Sequence, residues 1–233
     1  MTAPVLREGE VHLWWWGPAA AAALDSRAEY LDAGERARAS SFRFERHRRS
    51  WTAGRAALRS LAGRYLDLPP REIRFECGFA GKPRIPDASL HFSVSRSDGA
   101  ILVAFAGDRE IGADVERLRP QRDGTNVAGK FFAPAEAASL AALPEGIRSE
   151  AFFRCWTAKE AYLKGRGDGL GFPLDAFEVS LEGDGPRRLV AHREAAELDR
   201  WWLVPFTPDE GYVAAVAAAG ERPVLRRFEG ERS

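Results

Sequence analysis

The stretch His91–Glu116, HFSVSRSDGAILVAFAGDREIGADVE, carries the clearest signal for the fold. Apolar and polar residues alternate at its start and become almost uniformly apolar in its middle, which is the pattern of strands that lie against a core. Asp98-Gly99 is a favourable hairpin turn between two such runs. The stretch therefore predicts a three-stranded β-meander, with strands at His91–Arg96, Ile101–Phe105 and Glu110–Glu116.

The sequence on both sides of this stretch predicts more helices and strands in mixed order. A short polar helix is expected over Asp32–Phe44, and helical patterns predict longer helices over Arg46–Leu66, Val127–Leu143 and Arg148–Lys164. Further strands are expected at His12–Trp16, Glu72–Cys77, Phe177–Leu181, Trp201–Phe206 and Tyr212–Ala217. This mixture favours an α+β fold. A boundary near residue 110 would give two halves of similar size, 1–109 and 110–233.

The composition is that of an ordinary globular protein. The chain has 233 residues, 45% of them hydrophobic, and its 34 basic residues balance 34 acidic ones. The two cysteines, Cys77 and Cys155, form no C-x-x-C motif, which favours a reducing compartment. The apolar stretch Val11–Leu24 is too short to span a bilayer and is interrupted by Gly17-Pro18. We therefore expect a cytoplasmic protein without a membrane partner.

The balanced net charge hides a basic segment in the first half. Residues 35–74 contain eleven arginines, no lysine and four acidic residues, a local net charge of +7. Guanidinium groups bind phosphate oxygens in bidentate fashion, so the segment suits nucleic acid or a small polyanionic cofactor. A solvated helix face is the other interpretation, because arginine stems also cover apolar surface.

Two groups of charged residues in the second half suggest chemistry. Asp114 and Glu116 are two residues apart in a predicted strand, so both carboxylates lie on one face. Two like charges so close need a cation, either Mg²⁺ with its preference for oxygen ligands or a paired arginine. Glu160 and Lys164 are neighbours on a helix, although such pairs are also common on solvated surfaces.

These residues resemble the 4′-phosphopantetheinyl transferase superfamily, of the larger, monomeric type that activates surfactin synthetase. Two blocks carry the resemblance: Ile111-Gly112-Ala113-Asp114-Val115-Glu116 and the W-x-x-K-E-A-x-x-K motif at residues 156–164. Gly81-Lys82-Pro83 and Phe92-Ser93-Val94-Ser95 agree with the family in order and spacing.

The resemblance implies two similar α/β halves related by a pseudo-twofold axis, with the active site in the cleft between them. It implies Mg²⁺-dependent transfer of the phosphopantetheine arm of coenzyme A to a serine of an acyl, peptidyl or aryl carrier protein, with Mn²⁺ as a substitute metal. It also implies a monomer that binds neither nucleic acid nor membrane.

The resemblance also implies roles for individual residues. Asp114, Glu116 and Glu160 would hold the metal. Glu160 would also be the general base, directly or through a water, and Lys164 would neutralise the leaving phosphate. The expected ligands of the coenzyme A phosphates are Lys82, Ser95, Arg96 and Lys164, with Arg36 and Arg38 in the segment that binds the 3′-phosphate. Arg96 stands where the family usually has histidine, which replaces a titrating group with a permanent cation.

A second hypothesis is a non-catalytic module that binds RNA or DNA through the arginine-rich helices. Phe42, Phe44 and Trp51 would supply stacking surfaces beside the arginines. Such a module predicts an affinity that falls steeply with salt. The sequence contains no signature of the common nucleic-acid-binding folds.

Overall fold

A computed structural model describes residues 4–78, 81–119, 124–167, 169–181 and 185–230. The strands are β1 Glu10–Trp16, β2 Glu76–Cys77, β3 Pro83–Arg84, β4 His91–Ser97, β5 Ala100–Ala106, β6 Ile111–Arg117, β7 Phe177–Val179, β8 Leu189–His192, β9 Trp201–Phe206, β10 Tyr212–Ala219 and β11 Val224–Glu229. The α-helices are α1 Pro18–Ala23, α2 Ala33–Ser40, α3 Glu45–Leu66, α4 Thr125–Phe131, α5 Pro134–Ala142 and α6 Glu145–Arg166. The α+β fold class is confirmed.

The strands form two main sheets. One has the order β11-β1-β5-β4 and the other the order β6-β10-β9. The expected meander is therefore correct for β4 and β5 but wrong for its third strand. Strand β5 is already paired with β1 on one side and β4 on the other, so it has no free edge for β6. Strand β6 pairs instead with β10.

The two sheets face each other and each carries a long helix on its outer surface. In β1, Leu13 and Trp15 point into the core between the sheets, whereas Trp14 and Trp16 point into the core beneath α3. On the outer side of the second sheet, α6 packs on β6 and β10. Both sheets are thus apolar on both faces, which explains why β5 and β10 read as almost continuous hydrophobic runs.

The two long helices have the same length of 22 residues. Each covers one sheet, which is the arrangement that two similar halves would have. The last strand, β11, runs parallel to β1 in the first sheet. The division at residue 110 and the pseudo-twofold axis stay predictions.

Several element boundaries differ from the expectation. The helix expected over Val127–Leu143 is two helices, because α5 starts with Pro134 and a residue before proline avoids helical geometry. The strand expected at Glu72–Cys77 is reduced to its last two residues. Strands β8 and β11 were not predicted. Within the described ranges, none of the helices combines the length and the apolarity that crossing a bilayer requires.

Candidate active site

Serine side chains hold β4 against β6 where the two sheets meet. The backbone N–H of Ala113 donates to Ser93 Oγ at 2.9 Å, and the backbone N–H of Arg117 donates to Ser97 Oγ at 3.0 Å. Ser97 Oγ in turn donates to Glu116 Oε2 at 2.6 Å. Serines at alternate positions of β4 therefore replace a backbone ladder and fix the carboxylates of β6 beside the first sheet.

A glycine lets α6 lie directly on β6. A Cβ atom at Gly112 would be 2.0 Å from the carbonyl oxygen of Ala161 and 2.3 Å from the backbone nitrogen of Gly165. Only glycine permits so close an approach of two backbones. The contact brings Glu160 and Lys164 of α6 to the face of β6 that carries Asp114.

The opposite face of α6 is fixed by a buried ion pair. Lys159, the first lysine of the motif at residues 156–164, is fully buried and donates at 2.7 Å both to Glu136 Oε1 and to the carbonyl oxygen of Phe177. Glu136 also accepts from the backbone N–H of Val179 at 2.8 Å. The pair joins α6 to α5 and β7. Lys159 therefore stabilises the packing of α6, whereas Glu160 on the other side of the helix faces the cleft.

Asp114, Ser95 and Lys164 form a compact hydrogen-bonded group. Lys164 Nζ donates to Asp114 Oδ1 at 2.6 Å and to Ser95 Oγ at 3.0 Å. Ser95 Oγ donates to the same Asp114 oxygen at 2.7 Å. Residues from β4, β6 and α6, distant in sequence, thus meet at one carboxylate.

This group has more negative charge than Lys164 can balance. Burial raises the pKa of Glu160 above its ordinary value, and the charge of Asp114 raises it further. The pKa of Glu116 is likewise raised, first by burial and then by Asp114, against a lowering by the Ser97 hydrogen bond. Both carboxylates therefore lie within electrostatic reach of Asp114 and compete with it for one ammonium.

The carboxylates of Asp114, Glu116 and Glu160 are the kind of ligand that a divalent cation prefers, although they are not close enough together to form a coordination site. Among the described residues, no three His, Cys, Asp or Glu side chains already stand close enough to hold a metal ion. Asp114 Oδ2, however, is buried and has no hydrogen-bond partner in the described part of the chain. A buried carboxylate oxygen without a partner is costly, and a hard cation would satisfy it.

A cavity of about 370 Å³ opens beside this group, and Glu160 and Lys164 line one side of it. The rest of its lining comes mainly from the first half of the chain and is largely apolar, with Arg55, Lys82 and Arg96 as its cations. Burial, followed by repulsion from Arg55 and Arg38, lowers the pKa of Arg96 to about 10. The cavity therefore lies between an acidic group and several cations, a setting that suits a phosphorylated ligand.

Lys82 connects the first half of the chain to β6 and α6, the two elements that carry Asp114 and Glu160. Its ammonium donates to the carbonyl oxygens of Ile111 at 3.0 Å and of Gly165 at 2.9 Å. Gly165 lies in the last turn of α6, where a positive charge is favourable. Burial lowers the pKa of Lys82 to about 8, and Glu110 opposes this shift.

Neither of the two arginines expected from α2 lines the cavity, but Arg38 lies beside Trp51, which does. Arg38 lies 5.9 Å from the ring centre of Trp51, and its charge contributes to the lowered pKa of Arg96. Arg36 donates to the carbonyl oxygen of Leu31. The role of Arg36 in phosphate binding stays a prediction.

Two residues near the site, Arg55 and Ser97, escaped the sequence analysis, and Trp51 was suggested as a stacking surface for nucleic acid. Arg55 and Trp51 line the cavity from α3, and Ser97 holds Glu116. The period-two spacing of Ser93, Ser95 and Ser97 is the signal that would have found Ser97. Arg55 is one of eleven arginines in its segment, and spacing alone does not single it out.

The model of the 4′-phosphopantetheinyl transferase superfamily matches residues 110–217, which contain β6, α6 and β10. The chain is 40% identical over 220 residues to the 4′-phosphopantetheinyl transferase HetI of Nostoc sp., covering 92% of this chain and 90% of that protein. A similarity this high over nearly the whole length settles the class. The chain belongs to the 4′-phosphopantetheinyl transferase superfamily.

Other relatives agree with this assignment. The 4′-phosphopantetheinyl transferase Sfp of Bacillus subtilis is 33% identical over 167 residues, with 71% of this chain and 72% of that protein covered. The human L-aminoadipate-semialdehyde dehydrogenase-phosphopantetheinyl transferase is 27% identical over 235 residues, with 90% of this chain and 73% of that protein covered.

Proposed function

We propose that this chain transfers the 4′-phosphopantetheine group of coenzyme A to a serine hydroxyl of an apo carrier protein and releases adenosine 3′,5′-bisphosphate. The relatives that align with most of this chain are named as 4′-phosphopantetheinyl transferases. The observation that carries the proposal is the convergence of Asp114, Glu160 and Lys164 at one side of a cavity whose other lining residues include Arg55, Lys82 and Arg96.

The cavity would bind coenzyme A through its phosphates. Lys82 and Arg96 offer positive charge in the lining of the cavity, and Lys164 with Ser95 offers donors next to Asp114. Arg38 and Arg36 would add charge for the 3′-phosphate. A desolvated cation binds phosphate more strongly than a solvated one, because less water competes for either partner.

Asp114, Glu116 and Glu160 would hold Mg²⁺, with Mn²⁺ as a substitute. The partnerless Oδ2 of Asp114 and the surplus of carboxylate charge favour this assignment. When bound, such a cation would neutralise part of the negative charge of the pyrophosphate.

The protein's own part in the chemistry is positioning and proton transfer. The carrier's serine oxygen forms a bond to the β-phosphorus of coenzyme A, and the bond from that phosphorus to the bridging oxygen breaks. The serine proton passes to Glu160, the carboxylate that lines the cavity beside Lys164. The Lys164 ammonium balances the charge that develops on the departing bisphosphate.

The arginines of the first half support this function over nucleic-acid binding. Arg59 is fully buried, and Arg48 and Arg49 contact Glu45 on their own helix. Three of the eleven arginines are thus paired inside the fold or along α3. A monomer in the cytoplasm, acting on acyl, peptidyl or aryl carrier domains, remains our proposal.

The proposal is tested by labelling an apo carrier domain with coenzyme A and following the mass gain of the carrier. Wild-type protein should label the carrier with Mg²⁺ or Mn²⁺ and stop when EDTA is added. Glu160→Gln should lower kcat by about 10²–10⁴-fold, because the proton acceptor is lost while the shape of the side chain is kept.

Glu150→Gln is the matched control, since Glu150 is an exposed residue of the same helix and pairs only with Arg154 among the described residues. It should turn over like wild type. Near wild-type kcat in Glu160→Gln would remove Glu160 from the proton transfer. No labelling of any carrier class by the wild-type protein would contradict the proposed function itself.

A further inference from the structure

Arg55 stands in the wall of the cavity with part of its hydrogen-bonding capacity unused. It lies on α3 with its guanidinium 5.4 Å from the ring centre of Trp51 and 4.9 Å from that of Phe75. Its Nε contacts Glu35 Oε1 at 3.3 Å. Its NH1 is buried and has no hydrogen-bond partner among the described residues.

Arg59, one turn further along the same helix, shows how a structural arginine is satisfied here. Its Nε donates to Glu35 Oε2 at 2.6 Å and its NH2 to Asp32 Oδ2 at 2.7 Å. Its NH1 donates at 2.9 Å to two backbone carbonyl oxygens, those of Pro70 and Ile73. Arg59 thus takes the short contacts of both nearby carboxylates, and Arg55 keeps only one long contact.

Arg55 is also part of a group of three cations without matching anions. Arg55 and Arg38 flank the ring of Trp51, and both lower the pKa of Arg96 by repulsion. Glu35, the nearest carboxylate to Arg55, is shared with Arg59. Three guanidinium groups within electrostatic reach of one another repel, and a polyanion that contacts all three would relieve this repulsion.

Aromatic rings hold the orientation of the Arg55 fork. Trp51 and Phe75 each present a ring to its guanidinium, which fixes the plane in which NH1 points. A preorganised fork binds a phosphate with little loss of side-chain freedom. The acidic side of the cavity is the proposed place of the pyrophosphate, so the remaining phosphate of coenzyme A is the monoester at the ribose.

We propose that Arg55, together with Arg38, binds the 3′-phosphate of coenzyme A and makes this chain discriminate against 3′-dephospho-coenzyme A. The inference rests on the proposed function for the identity of the ligand. It assigns to α3 the contact that the sequence suggested for Arg36, whose guanidinium is engaged by the carbonyl oxygen of Leu31.

The test compares adenosine 3′,5′-bisphosphate with adenosine 5′-monophosphate in direct binding by calorimetry. Arg55→Gln should weaken the bisphosphate by about 10- to 100-fold, because a charge-assisted hydrogen bond to phosphate is lost. Binding of the monophosphate should stay within about twofold of wild type. In transfer assays, kcat/KM should fall by a similar factor with coenzyme A and stay nearly constant with 3′-dephospho-coenzyme A.

Arg55→Lys is a second variant that keeps the charge and part of the packing on Trp51, and it should lose less affinity than Arg55→Gln. Arg74→Gln is the control, an exposed arginine outside the cavity, and it should bind both nucleotides like wild type. Equal losses for both nucleotides, or no loss for either, would overturn the inference. Failure of the wild-type protein to label a carrier would instead count against the proposed function, since the nucleotide comparison needs no carrier.

Discussion

Lys82 shows how a single side chain at this site depends on the whole fold. Its ammonium reaches the first residue of β6 and the last turn of α6 at once. Two of its three donors are used by these carbonyl oxygens, which leaves one for a ligand in the cavity. Because burial lowers its pKa to about 8, its charge changes within an accessible pH range.

We therefore predict that affinity for coenzyme A falls as the pH rises above about 8. Lys82 is protonated below its pKa and binds phosphate; above it the free protein carries a neutral amine. Arg96 stays charged up to its own pKa of about 10, so the change between the two values belongs to Lys82. The measurement is the Kd of S-methyl coenzyme A, whose blocked thiol cannot titrate, between pH 7 and 9.5.

Lys82→Arg provides the control for this profile, because a guanidinium remains charged throughout. Its affinity should vary much less over the same range. A wild-type Kd that is constant up to pH 9.5, or that changes in parallel with Lys82→Arg, would show that Lys82 does not bind the ligand as a cation.

At this scale the sequence predicted the charged residues that follow a short-range pattern. Two-residue spacing placed Asp114 and Glu116 on one face, and helical spacing paired Glu160 with Lys164. Arg55 could not be predicted in this way, because its role depends on which carboxylates Arg59 has already taken. That allocation is set by tertiary contacts among α2, α3 and the loop after α3.

Among the elements, the contact between β6 and α6 determines the geometry of the site. Gly112 allows the two backbones to meet, and a Cβ atom at Gly165 would be 2.6 Å from the ring of Trp201 on β9. Asp114 and Lys164 are 50 residues apart in sequence and reach each other across this contact. A small change in the separation of β6 and α6 would therefore move the carboxylate away from the ammonium.

Gly112→Ala should destabilise the protein and reduce transfer together. The added Cβ would meet backbone atoms on α6, which cannot rotate away as a flexible side chain would. We expect a loss of about 1–3 kcal/mol or more in the free energy of unfolding, the usual range for overpacking. Urea denaturation measures it, and the kcat of the folded variant reports the displaced site.

Gly146→Ala is the matched control on α6, since a Cβ there meets nothing within 4 Å. It should leave kcat unchanged and raise stability by up to about 1 kcal/mol, because alanine favours the helix. If Gly112→Ala unfolded at the wild-type urea midpoint, the close approach of β6 and α6 would not be the constraint that we describe.

Most helices and strands could be predicted from local periodicity, but their partners could not. Strand β6 was expected beside β5, its neighbour in sequence, and pairs with β10 instead. Strand β11 is short, mostly exposed and rich in charge, so no alternation marked it as part of a sheet. Pairing is decided by which edges remain free after the core has formed, and a local pattern carries no such information.

On the scale of the whole molecule, β11 ties the end of the chain to its beginning. It runs parallel to β1, and Arg226 of β11 donates to Glu10 Oε1 of β1 at 2.9 Å. Glu10 Oε2 also contacts His12 Nε2 at 3.3 Å. The carboxylate thus joins residues that are 216 positions apart in sequence.

The Glu10–Arg226 pair should make stability depend on pH in the acidic range. The hydrogen bond from Arg226 lowers the pKa of Glu10 to about 2, against the opposing effect of burial. A carboxyl group with a depressed pKa in the folded state stabilises that state above its ordinary pKa, and this contribution disappears as the pH falls towards about 2. Glu10→Gln should therefore have a lower urea midpoint than wild type at pH 7, with a difference that narrows between about pH 4.5 and pH 3.

A double-mutant cycle with Arg226→Gln separates this pair from the other contacts of Glu10. The coupling between the two substitutions should be present at pH 7 and shrink in parallel with the protonation of Glu10. A coupling of the same size at pH 7 and pH 3 would mean that the carboxylate charge does not hold β11 on β1. Strand β11 would then be held on β1 by its backbone pairing alone, and the pairing of the two strands would be independent of pH.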